Sequence, residues 1–550
     1  MRVRTLTALG LLVAAGTCVP LQAFAAAAPT PGQVQDTLPP PPAPELEKNA
    51  PEPERQNGAP ASQVPAGGPT VTVKAFALAG NTVFSDQQLQ TVVAAYAGHD
   101  LTLGQIYEAA DRLTRFYHEH GYTLASVTVP AQKLDQGTVH LEVIEGRIGR
   151  IVVEGNRRYN GGTILGLLHQ LAPGEIYRSA DMERAILLVN DLPGLQARVV
   201  IKPGDTYGTS DIILRVRESL GRFSATGDNF GREEIGKDRL LLSGELDSLT
   251  GHGDRLSGDI IHSQQGLLDY GRIAWGLPVG NNGGRLRASY NRADYEVGGP
   301  IFGPLAISGK NADARLEYSY PLVRSRRTNW VLTAAADRNS SDVATAATPQ
   351  GTSNHLNFLE ISLFNNHVFS GGSYYTLGLQ YAGNGKSSDG TQQDAMQGKL
   401  RLDAGYTLPF AGEWELTGNA AAVYSADPLP DTQKFSVGGP TSVRGYLPAD
   451  ARGDEGGYLS LALRRNIYAG DWRFSPGLVA DGGRVIDHPT PTNTGLVRDS
   501  NLYSAGVDLT INYSNWLGAD LIWAKPIGGG IDPSDGKDSG RVWASLSFRF

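Results

Sequence analysis

The chain has 550 residues, enough for several domains, and carries a net charge of −8. That acidic balance argues against nucleic acid as the main partner. Its 68 glycines, and 22 tyrosines against 15 phenylalanines, suit a turn-rich β protein with many half-wet aromatic positions.

The first 25 residues read as a secretory signal. Arg2 and Arg4 form the charged start, Leu6 to Val19 the short apolar core, and Ala23-Phe24-Ala25 an A-x-A cleavage site. The single cysteine, Cys18, lies inside this segment, and Thr17 is a poor residue to precede a lipidated cysteine. Cleavage near Ala25 leaves a mature chain without cysteine and hence without disulfides. No later apolar run approaches the length of a membrane helix. An exported chain of this kind is soluble or crosses a membrane as a closed β-barrel, which satisfies all of its backbone groups internally.

Residues 26–69 are rich in Pro, Ala, Glu and Gln and include Pro39-Pro40-Pro41-Pro42. Such a stretch cannot bury a core and is expected to be an extended linker. No amphipathic helix stands out in it; Pro42 to Lys48 is the best fragment.

Two similar modules follow. The first, residues 70–146, opens with a strand at Val71 to Leu78 and a Gly80-Asn81 turn. Ser85 with Gln88 makes a capping box for a helix carrying Leu89, Val92, Val93 and Tyr96. Thr102 with Gln105 caps a second helix carrying Ile106, Ala109, Ala110, Leu113 and Phe116, stopped at Gly121. Tyr122 to Val129 and Val139 to Ile144 are strands, the second alternating as a one-sided sheet requires. The module at 147–218 repeats this order 75 residues later, counted from Gly80 to Gly155. It has strands at Ile148 to Val153, Gln196 to Lys202 and Thr209 to Arg217. Its helices run through Ile164 to Leu168 and from Ser179 onward. The repeated β-α-α-β-β order resembles the polypeptide-transport-associated (POTRA) domain.

Residues 219–550 lose helical periodicity. Sixteen strand-like segments start near Gly221, Lys237, Gly253, Leu267, Gly284, Asn311, Thr328, Asn354, Tyr374, Ala395, Glu413, Gly457, Trp472, Ser500, Trp516 and Arg541. Dyads such as Leu240, Leu242, Gly244, Leu246 and Trp414, Leu416, Gly418, Ala420 carry the signal of a transmembrane barrel, a weak one per segment. A soluble sandwich or propeller is the competing architecture. The even count, the export signal and the last strand favour the barrel. That strand, ending on Phe548 and Phe550, resembles the carboxyl-terminal signal by which bacterial outer-membrane barrels are recognised for insertion.

The connection between strands eleven and twelve holds F-S-V-G-G-P-T-S-V-R-G-Y at Phe435 to Tyr446. Glycines permit close approach of the backbone, and an arginine set between Val443 and Gly445 points to a cation in a confined space, which requires an anion. An odd-to-even connection is extracellular if the chain enters from the periplasm, and a loop this long is usually functional. Gly438, Gly439, Val443, Arg444, Gly445 and Tyr446 strongly resemble the characteristic loop motif of the two-partner secretion transporters, of the haemolysin/haemagglutinin activation-secretion type. The resemblance covers essentially the whole chain from about residue 70. It implies a signal peptide, two POTRA domains in the periplasm and a sixteen-stranded barrel in the outer membrane. It also implies that the loop folds back into the barrel, its arginine pairing with an aspartate in an F-x-D-x-G motif on the wall. Val479, Asp481 and Gly483 on strand thirteen match that motif, with valine in place of phenylalanine, so Arg444 and Asp481 are the expected pair.

The implied function is export of a large unfolded exoprotein, an adhesin or cytolysin, with outer-membrane lipid and the barrel-assembly machinery as further partners. Exposed strand edges in the modules, Gln196 to Lys202 and Thr209 to Arg217, are the expected places for β-augmentation. Family members often begin with a helix that plugs the barrel; here it is expected to be absent or short. A barrel-assembly factor of the same superfamily and a passive porin are the alternatives. No enzyme is expected: there is no G-x-S-x-G, no H-E-x-x-H, and Gly385-Lys386-Ser387 lacks the earlier glycine of a phosphate loop. No cofactor or metal set stands out, His118 and His120 being two apart on a helix. Arg452-Gly453-Asp454 spells an integrin-type tripeptide, but three residues recur by chance.

Overall fold

A computed structural model describes residues 28–39, 54–55, 67–133, 136–384, 398–489, 498–528, 530–531, 533–536 and 538–550. The expected signal segment, Cys18 and the Pro42 to Lys48 fragment lie outside these residues.

The first module is built as its caps dictate. Ser85 and Gln88 cap the helix Asp86–Val93, and Thr102 and Gln105 cap Leu103–Glu119, each pair exchanging side-chain and backbone bonds in both directions. The apolar face of the longer helix buries Ile106, Ala109, Ala110, Leu113 and also Tyr117 against a sheet of Ala75–Ala79, Thr138–Ile144 and Ser126–Thr128. The expected strand Val71 to Leu78 divides in two. Thr70–Val73 leaves the main sheet and pairs with His99–Thr102, a strand not foreseen, because Thr72 and Val73 align with Asp100 and His99 in an antiparallel ribbon. Tyr122 to Val129 shortens to Ser126–Thr128.

The second module has strands Arg147–Glu154, Leu195–Pro203 and Thr209–Glu218 and helices Gly161–Gly166 and Ser179–Asn190. The internal repeat holds at the level of atoms. Gly80 and Gly155 have φ of +92° and +95°, the left-handed region glycine enters without steric cost. Asn81 and Asn156 each donate from Nδ2 to the carbonyl three residues on, at 3.1 Å. A carboxylate then accepts from the backbone of each turn: Glu145 from Thr82 and Val83, Glu218 from Arg157, Arg158 and Tyr159.

Thr209–Glu218 is central in its sheet, flanked by Arg147–Glu154 and Leu195–Pro203. It is therefore not an available edge, contrary to expectation, since the first strand of the module returns parallel to it and takes that side. Of the two expected strands only Leu195–Pro203 has an outer side, and the residue pair Glu54–Arg55 lies along it, in parallel register with Val200 and Ile201; Arg147–Glu154 bounds the sheet on the other side.

Sixteen antiparallel strands close into a barrel, and all begin within three residues of the starts read from the sequence. The twelfth is interrupted at Asn466, between Glu455–Arg465 and Ile467–Ala469. Closure comes from Ser224 to Asp228 of the first strand against Arg549 to Ser545 of the last. Leucines such as Leu240, Leu242, Leu359 and Leu461 face outward, as a lipid-facing belt requires. Phe550 is exposed at the end of the last strand, where its amide donates to the Phe223 carbonyl at 2.8 Å. At the rim nearest the modules Trp472, Phe474, Tyr513, Trp516 and Phe548 form a chain of ring contacts of 4.6–6.2 Å. This is the interfacial aromatic girdle of a membrane barrel.

Part of the segment expected to be an extended linker is helical. Pro31–Asp36 is a short helix with a Thr30/Gln33 capping box and proline at its first turn. Its Val34 is fully buried among Ile261, Leu268, Tyr270, Ala293 and Tyr295 of the barrel, so the helix stands inside the lumen.

The Glu145 turn carries a prediction. Burial pushes the Glu145 carboxyl up, but bonds from Thr82, Val83 and Tyr117 outweigh it and hold the group below the usual carboxylate range. Because its folded value is depressed, its stabilisation is present above the unfolded range near 4.3 and is lost as pH falls through the folded value. Amides of Thr82 and Val83 are expected to stay protected from hydrogen exchange at pH 5 and to lose protection only at lower pH. Glu145→Ala should remove that protection at neutral pH, at a cost of roughly 1–3 kcal/mol.

Candidate functional site

The long loop between strands eleven and twelve, residues 425–454, turns inward as a hairpin in which Phe435–Val437 pairs with Ala451–Gly453. Its tip is sharply folded. Gly438 and Gly439 have φ of +119° and +93°, and the Gly439 amide donates to the Tyr446 carbonyl at 3.0 Å. The tip is apolar on one face, where Val437, Val443 and Tyr446 are buried with Ala421, Val423, Val485 and Leu502 of the wall. A Cβ on Gly483 would sit 2.7 Å from Val437; only glycine leaves the wall thin enough there for the loop to lie against it.

The structure brings Arg444 and Asp481 together. Arg444 Nη2 lies 3.1 Å from Asp481 Oδ1, and the Arg444 amide donates to Oδ2 at 3.0 Å. Ser504 Oγ donates to the same Oδ2 at 2.8 Å, and Arg444 Nη2 also donates to Ser460 Oγ. The two residues are 6% and 7% exposed. Charges this far from water hold their place only when paired and hydrogen-bonded. The last strand grips the same tip from the other side: Trp543 Nε1 donates to the Arg444 carbonyl at 2.7 Å and Arg541 Nε to the Gly445 carbonyl at 3.0 Å.

Val479 stands two residues before Asp481, buried on the wall between Ala462 and Gly506. The aromatic contact between loop and wall comes instead from Phe435, stacked on Tyr458 at 6.2 Å with planes 9° apart. Phe548, paired with Ala225 in the seam, and Phe550 lie at the opposite end of the last strand from Arg541 and Trp543, away from the loop tip.

Sequence reasoning missed two groups. Arg232, on the first long connection, donates to the Pro448 carbonyl at 2.8 Å and to Asp450 at 3.2 Å, tying the loop tip to another loop. Arg452, set aside within a chance tripeptide, donates to Asp36 at 2.8 Å, to Thr30 at 3.1 Å and to Asp431 at 2.6 Å, so the loop clamps the lumenal helix. Asp454 of that tripeptide is fully buried, accepting from the Leu429 and His488 amides; neither charge is open to an external receptor. The T-x-x-Q capping box at Thr30 was the one local signal for the helix.

Below the helix and loop, toward the modules, lies an open cavity of about 960 Å3. Its wall is lined by paired charges: Arg222 with Glu245 at 2.7 Å, Arg255 with Asp247 at 2.7 Å, and Arg272 with Asp259 at 2.7 Å. Arg315 is a hub, 2.9 Å from Glu317, 2.8 Å from Asp337 and 2.8 Å from Glu360. The arrangement is a charge-lined cavity closed at one end by two elements, the loop and the helix it clamps. Among the described residues no cluster of groups suited to a metal ion is present.

The haemolysin secretion/activation protein family ShlB/FhaC/HecB matches residues 208–511, and the ShlB-type POTRA domain matches residues 71–146. The chain is 22% identical over 484 residues to the heme/hemopexin transporter protein HuxB of Haemophilus influenzae (strain 86-028NP), covering 84% of this chain and 83% of that protein. It is 26% identical over 517 residues to the outer membrane transporter CdiB of Escherichia coli O6:K15:H31, covering 86% and 84%. Among solved structures, CdiB from Escherichia coli superposes with a TM-score of 0.72 at 21% identity, covering 90% of this chain and 94% of that one. BamA from Haemophilus ducreyi lacking POTRA domains 1–3 superposes with a TM-score of 0.53 at 14% identity, covering 87% and 100%.

Three substitutions test the closure. Arg444→Ala strands a buried carboxylate at a cost of roughly 3–5 kcal/mol, relieved when the tip withdraws; larger and more frequent open-channel currents in planar bilayers are expected. Adding Asp481→Ala should give less current than the sum of the two single variants, because the stranded charge is gone. Arg452→Ala removes two side-chain bonds to the lumenal helix, those to Asp36 and Thr30, and should raise the conductance while leaving the Arg444 pair intact.

Proposed function

This chain belongs to the haemolysin secretion/activation protein family ShlB/FhaC/HecB, and from that premise we propose that it is a dedicated exporter of one large, unfolded exoprotein. It is an outer-membrane β-barrel transporter with its POTRA modules in the periplasm. The observation that carries the reading is a charge-lined cavity of about 960 Å3 inside the barrel, capped by elements held through side chains rather than by wall strands.

In this reading the exoprotein reaches the modules unfolded and is held as an added strand, which recognises an extended backbone rather than a particular sequence. The outer edge of Leu195–Pro203 is the favoured place, and Glu54–Arg55 must yield it first. Relatives bear the names heme/hemopexin transporter protein, hemolysin transporter protein and outer membrane transporter, and a large adhesin or cytolysin is the class of cargo proposed here. Passage requires that the helix Pro31–Asp36 and the loop tip leave the lumen, which breaks the Arg444 and Arg452 networks. Cargo that folds outside cannot return, so no nucleotide is needed for direction. No catalytic step belongs to this reading. Membrane lipid and the barrel-assembly machinery are the partners proposed for insertion, with Phe548 and Phe550 as the signal.

The test is proteomics of culture supernatants from cells with the wild-type protein, with none, and with Arg444→Ala at equal barrel abundance. Loss of one large secreted protein without the transporter, and its reduction with Arg444→Ala, is the expected result. Broad loss of outer-membrane barrels would replace export by barrel assembly, and a change in small-solute uptake alone would leave a porin.

A further inference from the structure

The second module sits on one sector of the barrel rim. Asn160 donates its amide to the Gly251 carbonyl at 2.8 Å, Arg184 reaches the Pro321 carbonyl at 3.2 Å, and Glu183 accepts from the Arg326 amide at 2.8 Å. These contacts fall on the turns that join strands two to three and six to seven. Between strands four and five a Cβ on Gly283 would collide with Leu188, and between strands two and three one on Gly253 would sit 2.9 Å from Leu192. The seat is thus shaped for two leucines of one module helix and its exit.

At its centre is Asp191, the C-terminal cap of the helix Ser179–Asn190. A carboxylate at that position faces the negative end of the helix dipole and is unfavourable by itself. The barrel supplies the compensation. Arg324, 3% exposed, donates from Nε and Nη2 to both oxygens of Asp191 at 2.7 Å each. Arg285 donates to the Asp191 carbonyl at 3.2 Å, and Asn329 holds Arg324 Nη1 at 3.1 Å. A bidentate fork fixes angle as well as distance. Immediately after Asp191 the chain passes Leu192 to Gln196, which line the mouth of the lumenal cavity, and enters the strand Leu195–Pro203.

We propose that Asp191 and Arg324 are positioning residues that aim the outer edge of Leu195–Pro203 at the lumen mouth, so that a chain captured on that edge is handed into the pore. This rests on the export reading above. Capture belongs to the edge and transfer to the seat, so the two separate on substitution.

The experiment compares wild type, a strain without the transporter, Asp191→Ala, Arg324→Ala and the exchanged pair Asp191→Arg with Arg324→Asp. The probe is an unfolded N-terminal fragment of the exoprotein that the strain without transporter fails to secrete. Secretion from either single variant is expected to fall roughly tenfold, the exchanged pair to recover most of it, and fragment binding by the solubilised full-length protein to stay unchanged. Spin labels on Tyr207→Cys and Asn515→Cys should give a narrow distance distribution in wild type that broadens in both single variants. Wild-type secretion from the single variants overturns the proposal. So does loss of fragment binding together with secretion, or a distance distribution that stays narrow in the single variants. If removing the transporter changes no secreted protein, the export reading fails instead.

Discussion

A buried guanidinium paired with a buried carboxylate decides where the longest loop of this barrel ends. Arg444 and Asp481 lie on segments 37 residues apart in sequence, and neither charge tolerates the lumen alone. Once the pair is made, the rest of the loop has few choices. Val437, Val443 and Tyr446 fall on an apolar strip of the wall, Gly483 clears the space for them, and the last strand reaches in with Trp543 and Arg541. The base of the hairpin then carries Arg452 to the one place where it meets the lumenal helix. Closure of the pore is a chain of consequences from one ion pair.

The modules and the barrel follow different rules at their junction. Inside each module stability comes from an ordinary apolar core and turns closed by a carboxylate. At the junction the decisive contacts are ionic and directional, around Asp191 and Arg324. Apolar contact tolerates small rotations, whereas a two-bond fork does not. The loop site also sets an arginine against a carboxylate, through one guanidinium contact and the Arg444 backbone amide rather than a fork.

Much of this was legible in the sequence. Strand starts in the barrel emerged because a side-chain period of two, broken by turn residues, leaves little freedom of register. The capping boxes at Ser85 and Thr102 located two helices to the residue. The loop arginine and its partner aspartate were legible through motif resemblance, not through periodicity. Pro31–Asp36 was not legible: six residues are too few to display a helical period, and what holds them is distant in sequence, from Asn311 on the wall, 280 residues from Pro31, to Arg452, 422 residues from Thr30. The same holds for Thr209–Glu218, whose interior place depends on a parallel partner that no local pattern announces. Arg232 and Arg452 were invisible for the reverse reason, since each stands in an unremarkable stretch and gains meaning only from its neighbours in space.

The paired charges along the cavity also govern what a moving chain would feel. A wall of one sign would hold cargo of the other sign and turn away its own. Here most of the arginines already stand against a carboxylate, Arg315 against three, while Arg285 donates to the Asp191 carbonyl. A lysine or aspartate sliding past can trade places with a wall group of its own sign, one contact forming as another opens. A wall of mixed charge therefore offers contacts to a chain of either sign.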